Sequence, residues 1–190
     1  MRYQPYSTPI KLSHSENIMP MLKFIRYHFK HNKKCIEFGS GDISTPFLNK
    51  FYDVSCIEEN QEWMHKYSNV KYIYASIIDG WFEHNTVRRC IGSNYDFIVI
   101  DAPSDVNWRA NLPVFSNIFT RNKTIFIHAE YDVDVLACKQ LSEKLKKKYQ
   151  FLTINNCHFC VIGLSKFHRI TSHIRNFFIN LFTKNKIELY

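Results

Sequence analysis

The chain has 190 residues, of which 45% are hydrophobic and 22% are charged, with five glycines and six prolines. This is the composition of an ordinary globular protein of one domain, and it excludes a disordered or fibrous chain. No stretch approaches the ~20 apolar residues of a membrane span, and the first residues lack the apolar run of a secretory signal. We therefore expect a cytoplasmic protein.

Net charge and cysteine usage lead to two further expectations. The formal charge is +8, concentrated in residues 30–34, in residues 144–148 and after Lys166. Such an excess favours an anionic partner. The six cysteines are scattered, and a free buried cysteine behaves as a small hydrophobic residue, so we expect no disulfides.

The first predicted element is a helix. Ser13 and Glu16 form a capping-box pattern, and apolar residues at helical spacing follow it. These apolar residues are Ile18, Met21, Leu22, Ile25 and Phe29. The spacing predicts a helix that ends shortly before the first strand.

Strands and helices alternate after this first helix. The predicted strands cover residues 35–38, 54–57, 70–74, 95–100 and 124–128, and the predicted helices cover about 45–50, about 61–67 and 135–149. This alternation is typical of a parallel sheet that is covered on both faces. Two more strands, residues 151–154 and 159–164, lie only four residues apart. A parallel crossover needs a dozen or more residues, so these two strands are predicted to form an antiparallel hairpin.

Residues 35–45 combine a short apolar strand with a glycine-rich turn. Gly39 and Gly41 carry no Cβ and can take positive φ, so the backbone can fold tightly and approach a ligand there. Glu58 follows Gly41 by seventeen residues and ends the next strand, where an acid can accept both hydrogen bonds of a ribose diol. Glu59 is the alternative for this role. The pattern favours a ligand that contains a nucleoside.

The order of these motifs resembles that of the class I S-adenosylmethionine-dependent methyltransferases over roughly residues 33–165. The motifs are Glu37-Phe38-Gly39-Ser40-Gly41, then Glu58, then Asp96-Phe97-Ile98-Val99-Ile100-Asp101, in which Asp101 follows the fourth strand. Ser44-Thr45 and Trp63 add a similarity to a subgroup that acts on sugars or glycans. The resemblance implies an α/β fold, with a Rossmann-like doubly wound, mostly parallel sheet and a C-terminal antiparallel hairpin. It also divides the chain into a helical segment (1–32), a cofactor-binding domain (33–165) and an amphipathic basic tail (166–190).

The resemblance further implies roles for individual residues. The implied cofactor-binding residues are Glu37, Gly39, Ser40, Gly41, Glu58, Glu59 and Asp101. The turn at residues 39–41 would pack against the methionine part of the cofactor, and Asp101 would lie beside the sulfonium or the acceptor. Two positions depart from the family pattern. Ile43 stands where many members have a third glycine, and residues 128–130 read His-Ala-Glu where the subgroup often has His-Asp.

Asp101 and His128 are the candidate catalytic residues. They end neighbouring predicted strands, where either side chain could remove a proton from an acceptor. A purely structural histidine is an equal alternative. Together with Glu130 they could ligate a divalent cation, but Ala129 interrupts this set and we expect no metal.

Two other patterns have simple structural interpretations. Residues 157–160, Cys-His-Phe-Cys, have metal-like spacing. Side chains of a strand alternate between faces, however, so we expect both cysteines to pack in the core. Arg109 could hold an anionic acceptor group or remain solvated.

The resemblance implies methyl transfer from S-adenosylmethionine to an oxygen or nitrogen of a small-molecule or sugar acceptor. One alternative is a nucleic-acid methyltransferase, suggested by the charge of +8. Another is a cofactor-binding protein with a degenerate acceptor site, suggested by Ala129. The tail places Phe167, Ile170, Ile174, Phe177, Phe178 and Leu181 on one helical face. Such a helix could cover the core, form a homodimer or lie on an anionic membrane.

Overall fold

The computed structural model describes residues 18–91, 95–102, 109–119, 123–129 and 132–164. Within these ranges the α-helices are α1 (Met19–His28), α2 (Ser44–Asn49), α3 (His84–Cys90) and α4 (Asp132–Leu145). Two 3₁₀ segments cover Gln61–Trp63 and Leu112–Phe119. The strands are β1 (Lys34–Phe38), β2 (Asp53–Glu58), β3 (Lys71–Tyr74), β4 (Ile77–Ile78), β5 (Trp81–Phe82), β6 (Phe97–Ile100), β7 (Thr124–His128), β8 (Tyr149–Ile154) and β9 (Cys157–Ile162).

Seven of these strands form one sheet in the order β3-β2-β1-β6-β7-β9-β8. The first five are parallel neighbours, and β9 pairs antiparallel with both β7 and β8. The predicted fold class, a mostly parallel sheet that ends in an antiparallel hairpin, is confirmed. The hairpin turn consists of Asn155 and Asn156, with φ of 49° and 62°. Left-handed asparagines in a two-residue turn match the twist of the flanking strands.

The sheet separates the hydrophobic core into two layers, because alternate side chains point to opposite faces. In β6, Phe97 and Val99 belong to one layer, and Ile98 and Ile100 belong to the other. The first layer is covered by α1, which buries Met21, Leu22, Phe24 and Ile25. The second layer is covered by α4 and by the β4–β5 hairpin, whose Trp81 and Phe82 are fully buried. Burial on both faces explains the continuous apolar runs of the central strands.

Some elements differ from the sequence prediction. The helix expected at about residues 61–67 is only a 3₁₀ turn, because Met64 already has an extended conformation and His65 follows it with a left-handed φ of 65°. No sequence pattern predicted β4, β5, α3 or the 3₁₀ segment Leu112–Phe119. The helix expected after the capping box is α1, although Ser13 and Glu16 themselves lie outside the described residues, as does the C-terminal tail. Within the described ranges, every helix is too short or too polar to cross a membrane.

Candidate functional site

An open cleft lies at the carboxyl ends of β1, β2 and β6. Its volume is about 360 Å³, which is in the range of small-ligand sites. Residues 39–44, 58–60 and 101–102 line it together with Ile18 and Trp63. The predicted site residues in this lining are Gly39, Ser40, Gly41, Glu58, Glu59 and Asp101. Glu37 and His128, the other two predicted residues, stand behind the lining.

The two glycines of the turn have different roles. Gly39 has a φ of +81°, and a Cβ built on it would lie 2.3 Å from the Cβ of Ala102. Both observations require glycine at this position. Gly41 does not have positive φ, contrary to the prediction, and its added Cβ would lie 2.7 Å from Ser44 Oγ. Gly41 therefore allows the turn to pack closely on the start of α2.

Glu37 lies under the turn and is fully buried. Thr45 Oγ1 donates to Glu37 Oε2 at 2.8 Å and accepts from the backbone N–H of Gly41 at 2.9 Å. Glu37 Oε1 has no hydrogen-bond partner among the described residues. Burial raises the pKa of Glu37 to about 8, although the Ser44 and Thr45 hydroxyls oppose the shift. The group is thus mainly a neutral carboxyl at pH 7, and it fixes the turn through Thr45.

Glu58 fixes the same turn from the end of β2. Its Oε2 accepts from the backbone N–H and the hydroxyl of Ser40, both at 2.6 Å, and its Oε1 accepts from the backbone N–H of Asn60 at 2.9 Å. A carboxylate has about four acceptor positions, so these three bonds leave one position of Glu58 for a ligand. The neighbouring Glu59 has a buried Oε2 without a partner among the described residues, and burial raises the pKa of this group.

The segment after β2 forms one edge of the cleft. Lys66 Nζ lies 4.1 Å from the centroid of the Trp63 ring and 2.5 Å from Asp42 Oδ1. The Tyr67 hydroxyl donates to the same oxygen at 3.2 Å. These contacts join the segment to the glycine turn, and the cation–π contact orients the tryptophan. The contact between Asp42 and Lys66 was not predicted from the sequence, because no local pattern links residues so far apart in the chain.

Asp101 and His128 meet across the ends of β6 and β7, as expected for neighbouring strands. The distance from His128 Nδ1 to Asp101 Oδ1 is 2.8 Å. The His128 side chain is 1% exposed, whereas that of Asp101 is 20% exposed. Burial alone would lower the pKa of His128, but hydrogen bonds with Asp101 and Cys157 raise it to about 10. At pH 7 His128 is therefore an imidazolium, and the Asp101 side chain lines the cleft.

Arg109 is buried directly behind this pair. It donates to the backbone oxygen of Asp101 at 2.9 Å and to that of His128 at 3.2 Å. Its Nη1 also lies 3.6 Å from Asp134 Oδ2 on α4. Arg109 is therefore not solvated, contrary to one of the two interpretations of the sequence. It joins the ends of two strands to a helix.

The motif at residues 157–160 packs in the core as predicted. Cys157 and Cys160 are both buried, and they belong to opposite layers of the core. His158 is exposed, and its Nδ1 lies 2.8 Å from Thr153 Oγ1. Within the described ranges, no three His, Cys, Asp or Glu side chains are grouped to hold a metal ion. Glu130, the third member of the possible oxygen-ligand set, lies outside these ranges.

Comparisons with known proteins give similarity in structure without similarity in sequence. The sequence matches no family model, and no curated protein matches it. The fold is similar to precorrin-6y C5,15-methyltransferase from Geobacter metallireducens, with 11% identity, coverage of 83% of this chain and 94% of the other, and a TM-score of 0.57. It is also similar to a ribosomal RNA methyltransferase from Plasmodium falciparum, with 14% identity, coverage of 79% and 96%, and a TM-score of 0.54.

A third similar structure is that of the E. cuniculi Mtq2-Trm112 complex, which methylates the translation termination factor eRF1. Its identity is 12%, the coverage is 84% of this chain and 95% of the other, and the TM-score is 0.51. These three structures differ in acceptor, and what they share with this chain is the architecture. The chain therefore has the fold of the class I S-adenosylmethionine-dependent methyltransferases.

Proposed function

We propose that this protein is an S-adenosylmethionine-dependent methyltransferase that acts on an oxygen or nitrogen of a small-molecule or sugar acceptor. The observation that carries the proposal is the position of the cleft. In a sheet of this topology the cleft lies at the carboxyl ends of β1 and β2, where a glycine turn and two acids meet. Ligands of open α/β sheets bind in this place.

The residues of the cleft fit the cofactor on three grounds. A Cβ at Gly39 or Gly41 would clash with Ala102 or Ser44 in the cleft lining, so the turn keeps its shape only with glycine at these positions. Glu59 Oε2 is a buried acceptor without a partner among the described residues. The acids that line the cleft suit a ligand with cationic groups. Trp63 would present its ring to the purine, and the remaining position of Glu58 together with Glu59 would accept from the two ribose hydroxyls.

The chemistry requires little more from the protein than position and charge. The bound cofactor supplies a methyl group on a sulfonium, which is already a good electrophile. Asp101 lines the cleft and would hold the acceptor in line and take its proton. His128 is buried and protonated at pH 7, so we assign it a positioning role, in which its hydrogen bond orients the Asp101 side chain. Arg109 would support both residues by fixing the backbone that carries them.

A nucleic-acid acceptor fits the cleft less well. The charged residues in its lining are Asp42, Glu58, Glu59 and Asp101, and carboxylates repel phosphates. The alternative outside the enzymes is a cofactor-binding protein with a degenerate acceptor site. It predicts cofactor binding without transfer, whereas the proposed function predicts both.

Calorimetry with S-adenosylmethionine and S-adenosylhomocysteine, followed by transfer of a labelled methyl group to a panel of phenols, amines and sugars, tests the proposal. We expect Asp101→Asn to bind the cofactor with nearly unchanged affinity and to lose turnover, because the change keeps the shape and removes the base. His128→Gln should lower turnover less, and the exposed Glu62→Gln should change nothing. Failure of the folded wild-type protein to bind either cofactor would refute the proposed function. Full activity of Asp101→Asn would refute only its catalytic role.

A further inference from the structure

One lysine joins two segments that line the cleft. The first segment is the glycine turn with Asp42, and the second is the loop after β2 with Trp63. Lys66 Nζ lies 2.5 Å from Asp42 Oδ1 and 4.1 Å from the centroid of the Trp63 ring. We call Asp42, Trp63 and Lys66 the clasp. Its two charged side chains are partly exposed, by 60% for Asp42 and by 41% for Lys66.

The three residues of the clasp stand differently toward the cleft. Of the described residues, Asp42 and Trp63 belong to the cleft lining, whereas Lys66 does not. The ammonium of Lys66 lies over one face of the indole ring, so the opposite face is the one that remains for a purine. Lys66 therefore acts on a ligand by positioning its two neighbours and not by touching the ligand itself.

The backbone between Trp63 and β3 depends on such contacts. His65 has a left-handed φ of 65°, and a residue other than glycine keeps this conformation only where its surroundings hold it. On the far side of His65, the backbone N–H of Tyr67 donates to the Tyr72 hydroxyl at 3.3 Å and fixes the loop to β3. On the near side, Lys66 fixes Trp63 to the glycine turn.

The two contacts of Lys66 are individually weak. An exposed ion pair and an exposed cation–π contact each change an equilibrium constant by up to about fivefold. When they are lost, Trp63 takes other orientations in a part of the molecules. The apparent affinity for a ligand that needs the ring then falls in proportion to the competent fraction. Salt has the same effect in the intact protein, because it screens an exposed ion pair.

We propose that Lys66 is a positioning residue for the cofactor, which holds the Trp63 ring against the purine and uses Asp42 as its anchor on the glycine turn. This inference rests on the proposed function, because it takes S-adenosylmethionine as the ligand of the cleft. It adds that recognition of the purine depends on a side chain outside the cleft and on an ion pair that salt can weaken.

Calorimetry of the full-length chain with S-adenosylhomocysteine tests the role of Lys66. This ligand carries the purine and has no net charge. Lys66→Met keeps the length of the side chain and removes its charge, and it should weaken binding about fivefold. Lys66→Arg should restore the affinity to within about twofold, because a guanidinium can both stack on an aromatic ring and bind a carboxylate. Lys71→Met makes the same change at an exposed position at the start of β3 and should leave the affinity unchanged within about twofold.

Two further measurements separate positioning from a general loss of structure. In a Trp63→Leu background, Lys66→Met should not weaken binding further, because the ring that Lys66 positions is absent. Raising the ionic strength to about 1 M should weaken binding to the wild type more than binding to Lys66→Met. Asp42→Asn should show the same small salt dependence as Lys66→Met, since it removes the other charge of the ion pair.

Circular dichroism and thermal melting must first show that each variant is folded. Absence of S-adenosylhomocysteine binding by the folded wild type would refute the proposed function itself. Binding by the wild type with unchanged affinity in Lys66→Met would overturn only the positioning role. Equal losses in Lys66→Met and Lys71→Met would also overturn it, and so would a loss that persists in full in the Trp63→Leu background.

Discussion

The buried carboxyl of Glu37 is expected to make the stability of this fold depend on pH. The pKa of Glu37 is about 8 in the folded protein, against an ordinary value of 4.5 for the unfolded chain. Between these values the folded protein keeps a proton that the unfolded chain has lost, so the free energy of unfolding falls as pH rises. Below this window both states are protonated, and above it both are ionised. The dependence due to Glu37 is therefore confined to the window.

The size of this pH dependence follows from the shift in the pKa of Glu37. One pKa unit corresponds to about 1.4 kcal/mol, so Glu37 alone lowers the free energy of unfolding by about 2 kcal/mol between pH 5 and pH 7. Glu37→Gln keeps the shape and the acceptor for the Thr45 hydroxyl, but it cannot ionise. We therefore expect the stability of the variant relative to the wild type to increase by about 2 kcal/mol over the same interval and to level off above about pH 8.

Urea denaturation of both proteins at a series of pH values measures this difference. Other titrating groups cancel in it. One of these is His128, whose raised pKa also makes stability fall as pH rises above its ordinary value of 6.5. Glu62→Gln makes the same substitution at an exposed position and serves as the matched control. A constant difference for Glu37→Gln would refute the reasoning, because Glu37 would then titrate alike in both states.

Three further predictions concern the glycine turn and its supports. Gly39→Ala should cost about 3 kcal/mol of stability through the positive φ and the contact with Ala102, and adding Ala102→Gly should recover only the contact, as urea denaturation can measure. Thr45→Val removes a hydroxyl that serves both Gly41 and Glu37, and it should weaken S-adenosylhomocysteine binding by about 1 kcal/mol in calorimetry. Glu58→Ala should weaken cofactor binding by about 1.5–3 kcal/mol. Unchanged affinity in a folded Glu58→Ala would exclude this residue from the cofactor site.

The sheet could be predicted from the sequence because its signals are local. A central strand such as β6 reads as an apolar run, and the short gap between β8 and β9 permits only a hairpin. The helix predicted after Glu58 was wrong, because the alternation of strands and helices suggested a helix where the chain makes only a 3₁₀ turn. The extended Met64 ends the helical turn and the left-handed His65 follows it, and nothing in the local sequence marks either conformation.

The candidate site, like the fold, has a part that could be predicted from the sequence and a part that could not. Strand ends are local features, so the sequence placed Gly39, Glu58 and Asp101 at one edge of the sheet. Side-chain contacts between distant segments were not accessible. The ion pair of Lys66 with Asp42 joins the loop after β2 to the loop after β1. The burial of Arg109 against two strand ends depends on the packing of α4. Such contacts require the assembled fold.

The pair of Asp101 and His128 shows why the sequence could name two candidate bases but not choose between them. Both residues end strands in the predicted order, and an isolated histidine would be the better base at pH 7. Inside the fold, His128 is buried against Asp101 and Cys157, and these partners favour its charged form. A histidine that already holds its proton cannot accept another. The more exposed carboxylate is thereby left as the group that can act on an acceptor, and the imidazolium holds it in place.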